Sequence, residues 1–362
     1  MKILHLSSER TWRGGEQQIA YLIEELQNKN VHCFVACRKN SAFESYCKKN
    51  LIDHVSLPFA NEFDIITALR IKGFCKYIGI DLVHLHSSHS HAIGVWSHLL
   101  GNNLPIILSR RVDFPIKNNF LSRFKYNYDG IKKIICVSET IKEIVSKDVK
   151  DRSKCVTVYS GIDPNKFKGK TNQNILQEEY KIPANYPIIA NTSAIAPHKD
   201  HFTFVNTAEE LIRQKLKAKF FIIGAGPSYN EIANYIEQKQ LQQHVYMTGF
   251  REDIPDIFPE IDIFLMTSKT EGLGTTILDA FANKIPVVAT RAGGIPEIVI
   301  NEKTGLTVEI KDYRSLAQCV ICLLNDERLT KRLTENAFNS LKHFTKEKIA
   351  EKTLEIYKEL LV

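Results

Sequence analysis

Two carboxylates and a run of small residues stand together in Ser268–Glu297, which reads S-K-T-E-G-L-G-T-T-I-L-D-A-F-A-N-K-I-P-V-V-A-T-R-A-G-G-I-P-E. Glu271 comes just before Gly272, Gly274, Thr275 and Thr276. An amphipathic helix follows on Ile277, Leu278, Ala280, Phe281 and Ala282, with Asp279 one turn into it. A loop of small residues feeding a helix start leaves backbone N–H groups free to hold an anion, and the helix dipole adds to the attraction. Two carboxylates beside such a site would repel a bare phosphate, yet they suit the hydroxyls of a sugar and a ribose. The segment has the chemistry of a sugar-nucleotide site.

Glu271 and Asp279 also stand at E-x7-E spacing, ahead of the strand Pro286–Thr290 and Gly293-Gly294-Ile295-Pro296-Glu297. This resembles the signature of the retaining glycosyltransferases of family 4, which have the GT-B fold. Further stretches extend the likeness in the family's order over nearly the whole chain. They are G-G-E-Q-Q at 14–18, Y-S-G-I-D-P-N-K-F at 159–167, H-K-D at 198–200, I-I-G-A-G-P at 222–227 and T-G-F-R-E-D at 248–253. The resemblance implies an α/β protein of two doubly wound, Rossmann-like domains facing a central cleft. It also implies transfer, with retention, of a sugar from a nucleoside diphosphate sugar to an acceptor hydroxyl, in synthesis of envelope polysaccharide, lipopolysaccharide or glycolipid.

In open parallel sheets ligands bind beyond the C-terminal ends of the strands, and the polar motifs fall there. After the first strand come Arg13-Gly14-Gly15-Glu16, whose glycines permit close backbone approach; a tight turn that needs glycine is the alternative. By resemblance this loop faces the donor diphosphate and the acceptor. Lys199, in Pro197-His198-Lys199-Asp200, resembles the family's lysine that neutralises the leaving diphosphate. A fixed cation there stabilises the transition state more than the ground state, because leaving-group charge grows as the glycosidic bond breaks. Where the family usually has an arginine five residues earlier, this chain has Ala194, so either Lys199 carries the phosphate alone or Arg251 or Arg291 helps. Gly224 and Gly226 either let the nucleotide lie against the backbone or serve strand-to-helix packing. Gly249, Phe250 and Arg251 resemble the loop that holds the base, with Phe250 either stacked on it or buried in the core.

By the resemblance Glu271 binds the transferred sugar, helped by N–H groups of Gly274, Thr275 and Thr276, and Asp279 binds the ribose. Asp279 stands where the family has glutamate and reaches one methylene less far. Alternation places His84 and His86 on one strand face, His86 nearer the cleft, as an acceptor or sugar contact or as a structural histidine. Arg111 takes the place of a family histidine near the transferred sugar, which suits an anionic acceptor or a phosphate. The sequence has no D-x-D and no histidine or cysteine cluster at metal-ligand spacing, so neither metal nor cofactor is expected.

The elements that must position these groups come from strand–helix alternation. Strands are expected at Lys2–Leu6, Val31–Cys37, Leu82–His86, Ile106–Ser109, Lys133–Val137 and Cys155–Tyr159, with helices at Glu16–Asn28, Ile65–Tyr77, Ser90–Leu100 and Glu139–Lys147. A polar, turn-rich stretch, Gly161–Asn174, separates these from a second series at Ile188–Ser193, Lys219–Ile223, His244–Thr248, Ile263–Met266, Val287–Thr290 and Leu306–Val308. The division expected is an acceptor-binding domain over 1–168 and a donor-binding domain over 169–344. The resemblance returns the C-terminal helix, 345–362, to the first.

The 362 residues suffice for two ordinary cores, and 44% apolar with 25% charged residues is the composition of a soluble globular protein. No apolar run approaches the roughly 20 residues of a bilayer span. The opening Met1–Ser7 is too short for a signal peptide and reads as a buried strand. Eight cysteines lie scattered in apolar stretches, and Cys319 and Cys322 fall in the helical pattern Leu316–Leu324 as small core residues, which fits a reducing cytoplasm. The formal charge is +7, and bases gather between Arg110 and Lys133, interleaved with Phe114, Phe120, Phe124, Tyr126 and Tyr128. That surface suits anionic lipid headgroups at the inner face of the cell membrane or an acidic glycolipid, or is an ordinary solvated face; no nucleic-acid module accompanies it. The partners implied are a nucleoside diphosphate sugar and a saccharide or lipid-linked acceptor. A sugar-nucleotide epimerase of the same architecture and a non-catalytic sugar-nucleotide sensor are the rivals.

Overall fold

A computed structural model describes residues 1–361, which form two compact units: Met1–Gly161 with the segment from Thr345 on, and Ile162–Phe344. In the first unit seven strands form one sheet: β1 (Lys2–Ser7), β2 (His32–Arg38), β3 (His54–Leu57), β4 (Leu82–Leu85), β5 (Ile106–Arg110), β6 (Ile131–Cys136) and β7 (Cys155–Thr157). Their order is β3-β2-β1-β4-β5-β6-β7, with parallel pairing throughout. Parallel strands are joined by helical crossovers that cover both faces, so their sequences are apolar on both sides. On β1 Leu4 and Leu6 enter one core, while Ile3 enters the other. The second unit holds β8 (Ile188–Thr192), β9 (Lys219–Ile223), β10 (Val245–Gly249), β11 (Ile263–Met266), β12 (Val287–Thr290) and β13 (Leu306–Val308), in the order β10-β9-β8-β11-β12-β13, again parallel.

Each sheet therefore has one place where consecutive connections leave in opposite directions, between β1 and β4 in the first and between β8 and β11 in the second. The crossovers diverge there and leave a crevice at the C-terminal strand ends.

The helix Lys346–Leu361 packs on the first helix, Gly14–Asn28, and puts Ala350, Leu354, Ile356 and Tyr357 into the first unit's core. Lys346 fixes its start by ion pairs to Glu24 and Glu25 at 2.8 and 3.3 Å.

Several expectations need correction. The unit boundary falls at 161/162, not at 168/169, because Gly161–Asn174 is no bare linker. It carries a 3-10 turn, Pro164–Phe167, whose Phe167 is buried against Phe258 in the second unit. Strand β3 and the helix Ala42–Lys49 were not anticipated; β3 is a four-residue edge strand with only one fully buried side chain, too short for a period-2 signal. His86 lies just beyond β4 rather than within it. Six of the cysteines are buried, but Cys319 is half-buried and Cys322 exposed, since Cys322 falls on the solvent side of Tyr313–Asn325.

Tyr357 is fully buried and its hydroxyl lies 2.5 Å from His84 Nδ1. Tyr357→Ala is expected to cost about 3–5 kcal/mol by opening a cavity. Tyr357→Phe should cost about 1–3 kcal/mol by leaving the imidazole one partner short. Denaturant unfolding of the two variants checks this; equal midpoints for Tyr357→Phe and wild type would remove the hydrogen bond from the account.

Candidate functional site

Lys199 and Glu271 meet at the crevice of the second sheet because β8 and β11, which precede them, are neighbours. Lys199 ends a 3-10 turn, Pro197–Lys199, held over the end of β11 by backbone and side-chain bonds. Thr267 Oγ1 donates to the carbonyls of Lys199 and Asp200 at 3.2 and 3.1 Å, and Lys269 N–H donates to His198 C=O at 2.8 Å. Asp200 takes the left-handed conformation (φ 50°) that turns the chain into the helix His201–Arg213. The Glu271 backbone is anchored where Gly294 N–H donates to its carbonyl at 2.9 Å, and Thr290 Oγ1 holds Ser268 C=O at 2.6 Å. With both backbones fixed, the Lys199 ammonium donates to the Glu271 carboxylate, and both side chains are mostly buried. Ser268 Oγ approaches the same carboxylate at 3.4 Å.

Gly274 caps the helix Thr275–Ala282 with φ 90°, a conformation that favours glycine. The first N–H groups of that helix, including those of Thr275 and Thr276, have no acceptor within it. Asp279, buried on the same helix, forms an ion pair with Lys166 at 2.8 Å. Burial raises the Asp279 carboxyl above its ordinary value, against the pull of Lys166. Lys166 escaped the sequence reading, although it lies in Y-S-G-I-D-P-N-K-F; one methylene lost at Asp279 gave no hint of which base stands opposite.

The glycines divide into two kinds. A Cβ on Gly224 or Gly226 would lie 2.0 Å from Ser193 O or 2.3 Å from Ile195 O, so the close pass of two loops accounts for both without a ligand. At Gly14 a Cβ would meet nothing within 4 Å, and at Gly15 only Arg111 Cδ at 4.0 Å, with neither at positive φ. The tight-turn explanation does not hold for this pair. Phe250 is 74% exposed, which removes its core alternative. Beside it Gly249 has φ 73° and accepts from Gly224 N–H at 2.9 Å. Arg251 is engaged by Asp253 and Glu179, and Arg291 by Glu309 and Thr307, so either would have to exchange a protein partner for phosphate to stand in for the arginine absent at Ala194.

At the crevice of the first sheet, Gly14 and Gly15 follow β1, His86 follows β4, and Arg111 follows β5. His86 is buried between His5, whose Nδ1 lies 3.0 Å from His86 Nε2, and Arg111, whose NH1 and NH2 lie 3.5 Å from Nδ1. His84 shares its strand register with His5 and uses both ring nitrogens, on Tyr357 and, at 2.8 Å, on Ser109 Oγ. The expectation of no histidine cluster needs correction: nitrogens of His5, His84 and His86 lie within 4.8 Å of one another. Strand pairing made the cluster, and His5 alone on β1 gave no spacing to read. Five of the six ring nitrogens are committed, to one another, to Tyr357, to Ser109 and to Arg111, while His5 Nε2 is buried without a partner; beside a guanidinium the three rings make a neutral network and a poor cation seat.

Burial, with Arg111 adding, lowers His5 to about 3; burial also drives His84 and His86 well below the ordinary histidine range, with neighbouring histidines and Arg111 contributing. Burial lowers Arg111 to about 10, opposed by Glu16 and Tyr357, so it keeps its charge at neutral pH. Glu16, held by Ser7 Oγ at 3.1 Å, is itself raised by burial.

Two family models match the chain: one for glycosyltransferase family 4 over residues 12–166, and one for glycosyl transferases group 1 over 172–340. A glycosyltransferase of Methanocaldococcus jannaschii, uncharacterized, is 28% identical over 99% of each chain. The Escherichia coli UDP-Gal:alpha-D-GlcNAc-diphosphoundecaprenol alpha-1,3-galactosyltransferase is 22% identical over 100% of this chain and 98% of its own. The fold is that of an Anabaena protein solved with UDP and glucose, at TM-score 0.88 and 18% identity over 99% of this chain and 100% of that one.

Lys166→Met should destabilise the protein by about 2 kcal/mol at neutral pH, by stranding a buried carboxylate. A carboxyl raised in the folded state favours folding as pH falls through its folded value, and losing Lys166 raises Asp279 further. The deficit relative to wild type should therefore shrink as pH is lowered from neutral into the carboxylate range, read by urea unfolding. A pH-independent deficit would contradict the pairing.

Proposed function

The chain belongs to the family 4 glycosyltransferases of GT-B fold, and we propose how its residues divide the work of moving a sugar from a nucleoside diphosphate to an acceptor hydroxyl. The observation that carries the reading is the pairing of Lys199 with Glu271 at the topological switch point of the second sheet. In the donor complex the diphosphate takes over the Lys199 ammonium, and Glu271 turns to the hydroxyls of the transferred sugar. Backbone N–H groups at Gly274–Thr276 assist, Asp279 with Lys166 holds the ribose, and exposed Phe250 stacks on the base. As the glycosidic bond breaks, negative charge builds on the leaving diphosphate, and a lysine already fixed by its turn needs no reorganisation to meet it.

The unit Ile162–Phe344 is thus the donor-binding one. The unit Met1–Gly161 with the C-terminal helix takes the acceptor. Gly14 and Gly15 leave their backbone open to close approach, and Arg111 beside neutral His86 offers one fixed positive charge to an anionic acceptor. The acceptor is a saccharide or a lipid-linked saccharide of the cell envelope, met by a cytoplasmic enzyme at the inner face of the membrane. Support comes from the diphosphoundecaprenol in the Escherichia coli relative's name and from the basic, aromatic segment 110–133. Among the described residues no helix is long and apolar enough to cross a membrane. The epimerase and sensor readings gain no observation, since both curated relatives are named for transfer.

Glu271→Ala is expected to cut turnover by about 10²-fold or more while changing the affinity for bare UDP or GDP little. Steady-state kinetics with isothermal titration of the nucleotide separates the two, and comparable losses would sink the sugar-binding role. Arg111→Ala should impair transfer and spare nucleotide affinity; wild-type rates in that variant would remove Arg111 from the site. Activity should also survive EDTA, because the charge on the diphosphate is met by Lys199 and helix N–H groups. A full loss restored by magnesium or manganese would contradict this.

A further inference from the structure

Arg111 is held differently from Arg251 and Arg291. Those two pair with carboxylates, which cancel their charge. Arg111 makes its hydrogen bonds to a neutral ring instead: NH1 and NH2 both lie 3.5 Å from His86 Nδ1. Its stem packs against Gly15, where a Cβ would stand 4.0 Å from Arg111 Cδ. Glu16 is close enough for its charge to be felt at Arg111, yet its Oε1 accepts from Ser7 Oγ at 3.1 Å.

The proton positions follow from which groups can accept. A guanidinium carries donors only, so the His86 nitrogen that faces NH1 and NH2 is a lone pair. Neutral His86 then has its proton on Nε2 and donates it to His5 Nδ1 at 3.0 Å. His5 Nδ1 is therefore bare as well, and the proton of His5 is on Nε2. The His5 ring, fully buried, makes one protein hydrogen bond, and that bond serves His86. His84 stands outside this chain, with its nitrogens on Tyr357 and Ser109.

Both rings thus turn a lone pair toward Arg111 and a proton away from it. A neutral imidazole is negative at its bare nitrogen, so the two dipoles add and face the guanidinium with their negative ends. They attract the cation and bring no charge to cancel it. A carboxylate in place of His86 would hold the side chain and neutralise it at once.

We propose that His5 and His86 are positioning residues for acceptor recognition: two rings in the Nε2–H form that fix Arg111 by their dipoles and leave its charge for the acceptor's anion. His5 acts through His86, and His86, with both nitrogens engaged, acts through Arg111. The proposal rests on the reading that Arg111 meets an anionic acceptor.

The full chain, labelled with ¹⁵N in its histidines, tests the rings without any sugar substrate. Two-bond ¹⁵N–¹H spectra, assigned with His5→Asn and His86→Asn, should show both rings bare at Nδ1 and protonated at Nε2 from about pH 8 to about pH 5. A proton on His86 Nδ1, or an imidazolium at either ring, would overturn the proposal. Inorganic sulfate is the probe anion, read at one place through the His86 Nδ1 resonance. Titration should move that resonance along a saturating curve in the wild type, and sulfate should leave it in place in Arg111→Ala. His5→Leu should weaken the sulfate affinity about five-fold. His5→Asn, whose Oδ1 stands near the lost Nδ1, should restore most of it. His5→Gln, which replaces Nε2 and not Nδ1, should resemble His5→Leu and serves where the leucine variant fails to fold. Wild-type affinity in His5→Gln would reduce His5 to packing and overturn its role. A His86 resonance that sulfate never moves would overturn the uncancelled charge. Impaired transfer in Arg111→Ala beside either failure would leave the acceptor reading standing without the histidine pair. Wild-type transfer in that variant would end the acceptor reading and, with it, the purpose assigned to the pair.

Discussion

A parallel sheet delivers every strand's C-terminal end to the same edge, and where its order reverses the crossovers cannot cover that edge. Both sheets obey this constraint, and it accounts for where the chemistry collects. In the second sheet β8 and β11 flank the reversal and bring Lys199 and Glu271 together across 72 positions of sequence. In the first, β1 and β4 flank it and bring Gly14, Gly15, His86 and, one strand further, Arg111 to one edge. Neither group depends on a motif's being contiguous; each depends on strand order.

The supporting bonds follow the same logic. Thr267 and Thr290 sit at the ends of β11 and β12 and spend their hydroxyls on the carbonyls of the loops above them. Those loops then need little sequence of their own to hold a shape. At the crevice of the first sheet the anchoring is reversed in chain order. Residues near the C-terminus supply Tyr357, which orients His84, which lies in register with His5, which in turn meets His86 and so sets the surroundings of Arg111.

Most of the strands were legible, because a strand covered on both faces writes an uninterrupted apolar run: all six in the second unit fall within a residue of the expected spans, four of them coinciding, while β8 ends one earlier and β10 begins and ends one later. Family 4 membership was equally legible from the ordered motifs. Partnerships were not. The Lys166–Asp279 pair, the three-histidine network and the commitments of Arg251 and Arg291 arise from distances between residues far apart in sequence. β3 was missed because a short edge strand is half solvated and has no period to display. Gly224 and Gly226 looked like ligand glycines in sequence, and only the carbonyls of Ser193 and Ile195 opposite them show a steric reason. Gly14 and Gly15 looked the same and have none.

The return of the helix Lys346–Leu361 to the first unit makes the second an insertion in chain order. The first unit's core is completed by Ala350, Leu354 and Tyr357, which the ribosome supplies only after the whole second unit. At about 5–20 residues per second the first unit waits roughly ten to forty seconds while the intervening segment is made. Through that interval His84 lacks its tyrosine and an apolar face remains open, whereas the later unit is contiguous and can close as soon as it emerges. The order of maturation in the cell is therefore the reverse of the order of synthesis, and the unit begun first is the one exposed longest to chaperones and proteases.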